Sequence, residues 1–292
     1  MIDPSFLDQL RELNLMLKRR VSSAYSGGRP SIQYGRGIEP VDHREYMHGD
    51  DFRLVDWKLY GRTERLYIRR FEEEKSMILH LLVDSSASME FQSDGIRKFD
   101  YAGSIAAGLG YLSVHENEKF STALFSDRIT EVMEPSKSEK HLFETIEVMN
   151  SIKLAGKTDL ATSANQYAKM IKSKSFAVII SDFLEPLDSL RGGIYRMAKA
   201  SEELMVIQVL DPCELALKWT DDINFEDAEM GSNVRTYLSP NFKKDYRQRV
   251  EKHIEGLQGI CNNIGVSFNL ITTDVPIIDA FVNLIGGIHR GK

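Results

Sequence analysis

The sequence contains very little cysteine. Among its 292 residues there are only two, Cys213 and Cys261. Two cysteines are too few for a scaffold held together by disulfides, and no Cys-x-x-Cys pair is present for zinc or redox chemistry. We therefore interpret both as core or surface thiols.

Excess positive charge and long apolar runs are also missing. The 37 Lys and Arg are outnumbered by 43 Asp and Glu, which gives a net charge of −6 and argues against a nucleic-acid-binding protein, whose surface is usually basic. The first residues mix leucines with charged residues, so they contain neither the apolar core of a signal peptide nor the roughly 20 apolar residues of a transmembrane segment. We expect a cytoplasmic protein.

The remaining composition is that of a globular protein. Hydrophobic residues make up 42% of the chain, enough for a sizeable core, and the length allows one large or two modest domains. Leucines at helical spacing after Pro4 predict an N-terminal helix, and the stretch 22–40, rich in Ser, Gly and Pro, predicts a loop.

From residue 76 onward, short apolar runs alternate with helical patterns, as in a doubly wound α/β sheet. The predicted strands are 78–83, 120–125, 128–133, 176–180, 204–210 and 266–271, and the predicted helices are 98–114, 141–149, 161–171, 187–201, 239–262 and 275–284. The short turn at Ser126 and Asp127 predicts a hairpin. The sheet should therefore be mostly parallel with one antiparallel edge strand.

The predicted domains are an N-terminal helix, loop and small β subdomain over residues 1–75, and a larger α/β domain over residues 76–292 with a small insertion near 215–238. The small residues in the helix 98–114 are expected on its sheet-facing side; they are Ala102, Gly103, Ala106, Ala107 and Gly108. His80 alternates within a strand and is interpreted as a core or face residue.

The segment 41–71 is dense in charged and aromatic residues and allows two interpretations. Asp50, Asp51 and Asp56 could form the metal cluster of a nuclease. Alternatively, Gly49-Asp50 is a turn, and the acids pair with the neighbouring arginines Arg44, Arg53 and Arg62. The second interpretation is favoured because no Glu-x-Lys or His-bearing nuclease signature accompanies the acids.

Oxygen-bearing side chains follow the first buried strand. Asp84, Ser86 and Ser88 alternate at its end, Asp182 follows a second strand, and Thr158 joins them if its loop lies at the same edge of the sheet. Ligands of open α/β sheets bind at the carboxyl ends of strands. Each residue also has a purely structural interpretation, because Asp and Ser at strand ends often cap the following helix. Asp159 could bind a metal through water, but we favour helix capping.

The Gly156-Lys157-Thr158 sequence imitates a nucleotide-binding P-loop but does not match it. The P-loop needs a glycine where this chain has Ser151, and it must follow a strand, whereas residues 143–152 are predicted to be helical. No His spacing typical of zinc sites and no Gly-x-Ser-x-Gly nucleophile motif are present.

The Asp84-x-Ser86-x-Ser88 motif, the Gly156-x-Thr158 loop and the strand-end Asp182 together resemble the metal-ion-dependent adhesion site of von Willebrand factor A domains. The resemblance implies a doubly wound fold of that type, with Asp84, Ser86, Ser88, Thr158 and Asp182 as metal ligands. Hydroxyls and few carboxylates suit Mg²⁺, or another divalent cation such as Mn²⁺ or Ca²⁺. A carboxylate from a protein partner would complete the coordination.

The preceding segment, Arg44-x-Tyr46-x-x-Gly49-Asp50-Asp51-x-Arg53-x-Val55-Asp56-Trp57, resembles the bacterial domain of unknown function 58 family. Its members are similar to von Willebrand factor A proteins encoded beside MoxR-type AAA+ ATPases. The resemblance implies an adaptor or chaperone-like partner of such an ATPase.

We therefore expect a protein-binding module that depends on a divalent metal and is not an enzyme. One alternative is a hydrolase that uses the same cation on a phosphoester or nucleotide. Another is a degenerate site, with binding through the Arg-, Tyr- and Trp-rich subdomain.

Overall fold

A computed structural model describes residues 1–7, 9–10, 40–71, 77–93, 95–172, 175–217, 222–226 and 233–288. The chain forms two compact units, one from Met1–Lys18 with Met77–Lys292 and the other from Arg19–Ser76. The described residues 1–7 and 9–10 thus lie in the larger unit, whereas the predicted division grouped residues 1–75 together. The predicted N-terminal helix lies only partly within the described residues, and nearly all of the loop 22–40 lies outside them.

The small unit is built on one antiparallel strand pair. Strand β1 (Pro40–Glu45) pairs with β2 (Tyr67–Phe71), and a 3-10 helix (Phe52–Leu54) and helix α1 (Trp57–Thr63) lie between them in sequence. Asp56 begins α1, because its carboxylate accepts hydrogen bonds from two backbone N–H groups of the first turn, which would otherwise lack partners.

The acids of the small unit take part in local contacts. Arg44 pairs with Asp50 at 2.8 Å and Arg53 with Asp51 at 2.9 Å, while Asp56 caps α1. Gly49 has a φ of +106°, a conformation that glycine adopts at low cost in a turn. These contacts agree with the turn and ion-pair interpretation rather than with a nuclease cluster.

The larger unit is organised around a six-stranded sheet. Its strands are β3 (Ile78–Asp84), β4 (Lys119–Phe125), β5 (Ile129–Ser136), β6 (Ser175–Ser181), β7 (Glu203–Leu210) and β10 (Ser267–Thr272). Their order is β10-β7-β6-β3-β4-β5, and every pairing is parallel except that of β4 with the edge strand β5. The predicted α/β class with one antiparallel edge strand is confirmed.

Helices cover this sheet, and the predicted insertion contains a hairpin. The helices are α2 (Lys98–His115), α3 (Glu139–Ser151), α4 (Leu160–Tyr167), α5 (Leu187–Ala200), α6 (Pro212–Leu215), α7 (Pro240–Ile264) and α8 (Ile277–Ile288). The hairpin joins β8 (Asp222–Glu226) to β9 (Asn233–Tyr237). Helix α4 ends at residue 167 rather than at the predicted residue 171.

The small residues of α2 contact more than the sheet. A Cβ atom at Gly108 would lie 2.2 Å from the ring of Phe281 on α8, and one at Gly103 would lie 2.4 Å from Ile2. Only Gly110 faces a strand, where Phe120 of β4 would be 3.1 Å away. The expectation that these residues face the sheet was therefore wrong for Gly103 and Gly108, because the N-terminal segment and α8 also pack on this helix.

Two adjacent glycines of α5 provide a matched test of helix packing. A Cβ at Gly193 would lie 3.0 Å from the Leu160 carbonyl oxygen, whereas one at Gly192 would contact nothing within 4 Å. We expect Gly193→Ala to lower the free energy of unfolding by about 1–3 kcal/mol through overpacking against backbone. Gly192→Ala should raise it by about 0.5–1 kcal/mol. Urea denaturation of both variants checks this, and equal effects would contradict the close approach of α4 and α5.

His80 predicts a pH dependence of stability. Its ring is buried beside Tyr167, with Nδ1 2.9 Å from the phenol oxygen, and burial lowers the pKa of His80 from 6.5 to about 4. As the pH drops, His80 is therefore protonated in the unfolded chain before it is protonated in the folded protein. The free energy of unfolding falls between pH 6.5 and pH 4, by about 3 kcal/mol in total. Urea denaturation at pH 7.5 and pH 4 should show a smaller loss for His80→Gln than for wild type, and an equal loss would contradict the assignment.

Candidate metal centre

The carboxyl end of β3 is held against the loop that follows α3. The Ala87 N–H donates to the Gly156 carbonyl at 3.0 Å, and the Ala155 N–H donates to the Ser85 carbonyl at 3.3 Å. Gly156 has a φ of +86°, which favours glycine at this position. These backbone contacts bring the Asp84 strand end and the Thr158 loop together.

Four of the five predicted ligands form one hydrogen-bonded cluster. Asp84 has no exposed surface, and its Oδ1 accepts from the Ser86 N–H at 2.9 Å. Thr158 Oγ1 lies 3.5 Å from Asp84 Oδ2. The hydroxyls of Ser86 and Ser88 are 3.1 Å apart. The sequence prediction that Thr158 shares an edge with the Asp-x-Ser-x-Ser motif therefore agrees with the geometry.

A further hydroxyl, that of Ser181, contacts the same carboxylate. Ser181 Oγ donates to Asp84 Oδ2 at 2.5 Å and accepts from the Phe183 N–H at 3.0 Å. Because the Phe183 N–H occupies the acceptor side, the hydroxyl proton is directed at Asp84. Ser181 was not predicted, although the pairing of Val83 with Ile180 puts it beside Asp84 in the next strand.

The charge of Asp84 lacks a cationic partner among the described residues. Burial, followed by the neighbouring charge of Asp182, raises the pKa of Asp84 well above its usual range, against the hydrogen bonds from Ser181 and Ser86. A buried carboxylate of this kind favours either a proton or a bound cation. The adjoining Ser86, Ser88 and Thr158 hydroxyls are hard oxygen donors, so these residues fit a small divalent cation.

The fifth predicted ligand, Asp182, is already engaged by a lysine. Asp182 Oδ2 lies 2.8 Å from Lys98 Nζ, and Oδ1 accepts from the Leu184 N–H at 3.3 Å. Lys98 has no exposed surface and also pairs with Glu214 at 2.7 Å. Burial alone would lower the pKa of Lys98, but the charges of Asp182 and Glu214 outweigh it and raise that pKa.

Lys98 and Glu214, like Ser181, are functional candidates that the sequence did not reveal. Lys98 is the first residue of α2, and Glu214 lies in α6 more than a hundred residues later. Lysine is rarely buried unless it is paired, so no local pattern could have assigned it to this site.

Asp159 and the Gly156 loop, which lie next to the cluster, have structural roles. Asp159 begins α4 and accepts from the Thr162 N–H at 2.9 Å, which agrees with helix capping. The helix α3, not a strand, precedes the Gly156 loop, as the argument against a P-loop required. No group of three or more His, Cys, Asp or Glu side chains suited to a metal occurs in the described part of the chain.

A groove of about 870 Å³ borders this end of the sheet. It lies between the segment that follows Ser86 and the segment after α3. Its lining combines apolar and charged side chains, among them Glu90, Phe91, Arg97, Ile152, Lys153 and Leu154.

Comparison with known proteins identifies the family. The family described as "Protein of unknown function DUF58" matches residues 42–256. The chain belongs to the DUF58 family. The match includes both the charged segment of the small unit and all five predicted ligands. Uncharacterized proteins of Mycobacterium tuberculosis (Rv1480) and Mycobacterium bovis (Mb1516) are each 27% identical over 99% of this chain and 92% of their own length.

The chain is also similar to solved structures, and the first of them supports the fold of this DUF58 protein. The conserved hypothetical protein BatB from Bacteroides thetaiotaomicron superposes with a TM-score of 0.50 at 14% identity, over 74% of this chain and 98% of BatB. The VWA domain of SpRpn10 gives a TM-score of 0.46 at 12% identity, over 72% and 95% of the two chains. Among the described residues, no helix is both long and apolar enough to cross a membrane.

Proposed function

We propose that this protein is a divalent-metal-dependent protein-binding module. Asp84, Ser86, Ser88 and Thr158 would hold Mg²⁺, or Mn²⁺ or Ca²⁺, and the cation would attract a carboxylate from a partner. The observation that carries the proposal is the fully buried Asp84, which has hydroxyl groups around it and no cationic partner among the described residues. The cation supplies a Lewis-acidic position, and the protein orients the oxygens around it.

Binding is favoured over catalysis because the nearby acids are engaged. A hydrolase that used this cation would need a free base to activate water. Asp182 pairs with Lys98, Asp159 caps α4, and Glu185 accepts from the Leu160 N–H and from Ser189. These contacts argue against the alternative of a phosphoester or nucleotide hydrolase.

The adjoining groove supports a protein partner. Phe91, Ile152 and Leu154 offer apolar contact area, and Lys153 adds an exposed positive charge. Such a lining suits a segment that combines apolar residues with an acidic one. We propose that the partner is a MoxR-type AAA+ ATPase and that this protein acts as its adaptor or as a chaperone-like factor.

A binding assay tests this proposal. Immobilised protein should retain a purified MoxR-type ATPase from the same genome in excess Mg²⁺ and release it in excess chelator. Asp159→Asn serves as a control that alters a carboxylate of the same loop without altering a proposed ligand, and it should bind like wild type. Retention that persists in chelator would contradict the metal dependence. Mg²⁺-dependent turnover of a phosphoester by the purified protein would instead favour the hydrolase alternative.

A further inference from the structure

The position of Lys98 would be electrostatically unfavourable without its carboxylate partners. The residue begins α2, where the helix dipole disfavours a positive charge, and its side chain is fully buried. Taking an ammonium and its carboxylate partners out of water is also unfavourable, because each ion loses its hydration. These costs are offset by the two ion pairs, with Asp182 at 2.8 Å and Glu214 at 2.7 Å.

A second set of contacts fixes the lysine in place. Glu214 Oε2 accepts from the Asp211 N–H at 2.8 Å, in a capping box that begins α6. The Asp211 carboxylate in turn accepts from the N–H and hydroxyl of Ser93, in the loop before α2. Glu214 is therefore anchored independently of Lys98. The ammonium of Lys98 is held between the carboxylates of Glu214 and Asp182.

The charges of this region are not balanced. Asp84, Asp182 and Glu214 are three carboxylates, and Lys98 is the only cation that the described residues bring into direct contact with any of them. Lys98 contacts Asp182 and Glu214 but not Asp84, so the carboxylate of Asp84 is left for the divalent cation. Lys98 therefore does not replace the cation. It neutralises the acid that would otherwise be the second anionic ligand.

We propose that Lys98 is an internal counter-ion that competes with the divalent cation for Asp182 and so limits how tightly the site binds metal on its own. This inference rests on the proposed metal site. With Asp182 held by Lys98, only Asp84 offers a negative charge to the cation directly. The bound cation keeps a net positive charge, which attracts the partner's carboxylate. Lys98 is thus a positioning residue: because it holds Asp182, the coordination of the cation is completed by the partner's carboxylate.

Two variants that differ only at Lys98 test the inference by calorimetric titration with MgCl₂ alone. Glu214→Gln keeps the ammonium, while the double variant Lys98→Met with Glu214→Gln removes it and releases Asp182. We expect the double variant to bind Mg²⁺ at least ~10-fold more tightly than Glu214→Gln, because one positive charge near the cation has been removed. A purely structural role for Lys98 predicts the opposite, since its loss would disorder the site.

Each outcome is decisive. Equal or weaker Mg²⁺ binding by the double variant, including no binding by either protein, would overturn the inference. If the Met variant does not fold by circular dichroism, Lys98→Gln with Glu214→Gln replaces it, with the same expected direction. Because the titration contains no partner, its result is separate from the proposed function: tighter metal binding without Mg²⁺-dependent retention of a partner would reject the function and keep the role of Lys98.

Discussion

Replacing Asp84 with asparagine should lower the affinity for Mg²⁺ by more than about 100-fold and leave the protein folded. Loss of contacts outside the coordination shell already costs about 10–100-fold in metal sites, and Asp84 is the only charged side chain among the four proposed ligands. The amide oxygen can still accept from the Ser86 N–H, so the local backbone contact is kept. Calorimetric titration of both proteins with MgCl₂ measures the difference.

In the absence of metal, Asp84→Asn should not lower the stability of the protein. A buried carboxylate without a cation is unfavourable, so Asp84→Asn should unfold at an equal or higher temperature than wild type in chelator. In excess Mg²⁺ only wild type should gain stability, because a ligand that binds the folded state stabilises it by mass action. An equal gain by both proteins would show that Asp84 does not hold the cation.

Lys98→Met alone should be the most destabilising single change in the site. Breaking a buried ion pair by removing one partner costs about 3–5 kcal/mol, because the remaining charges lose their compensation. Lys98 has no exposed surface and leaves two carboxylates behind. Urea denaturation in chelator measures the loss of unfolding free energy.

Replacing the two carboxylates that lose their lysine partner, Asp182 and Glu214, provides the control for this prediction. Adding Asp182→Asn and Glu214→Gln to Lys98→Met removes the uncompensated charges and should recover much of the lost stability. A loss that persists in this triple variant would show that packing of the lysine chain, rather than its charge, stabilises the site. A single variant as stable as wild type would contradict the buried network itself.

Much of the sheet was predictable because each strand carries its own signal. The run that ends at Asp84 is apolar on both faces, and in the structure it is central, with parallel neighbours on either side. The antiparallel edge strand followed from the short Ser126-Asp127 turn, which leaves no room for a crossover. Strand order was not predictable in this way, since it depends on contacts between distant segments.

The residues of the candidate site also fall into a predictable group and an unpredictable one. Asp84, Ser86 and Ser88 are neighbours in sequence, so their spacing alone placed them at one strand end. Ser181, Lys98 and Glu214 reach the site only through strand pairing and helix packing. The small residues of α2 are a similar case. Gly108 leaves space for the ring of Phe281, which is far along the chain, and helix periodicity does not identify which element packs on a helix face.

The most direct test of the account is a crystal structure of the protein with saturating Mn²⁺, read by its anomalous scattering. One peak is expected among Asp84, Ser86, Ser88 and Thr158, at about 2 Å from the ligand oxygens, the distance typical of a small hard divalent cation. Lys98 should remain paired with Asp182 in that structure. No peak at this position in well-ordered crystals would contradict the metal centre on which the proposed function depends.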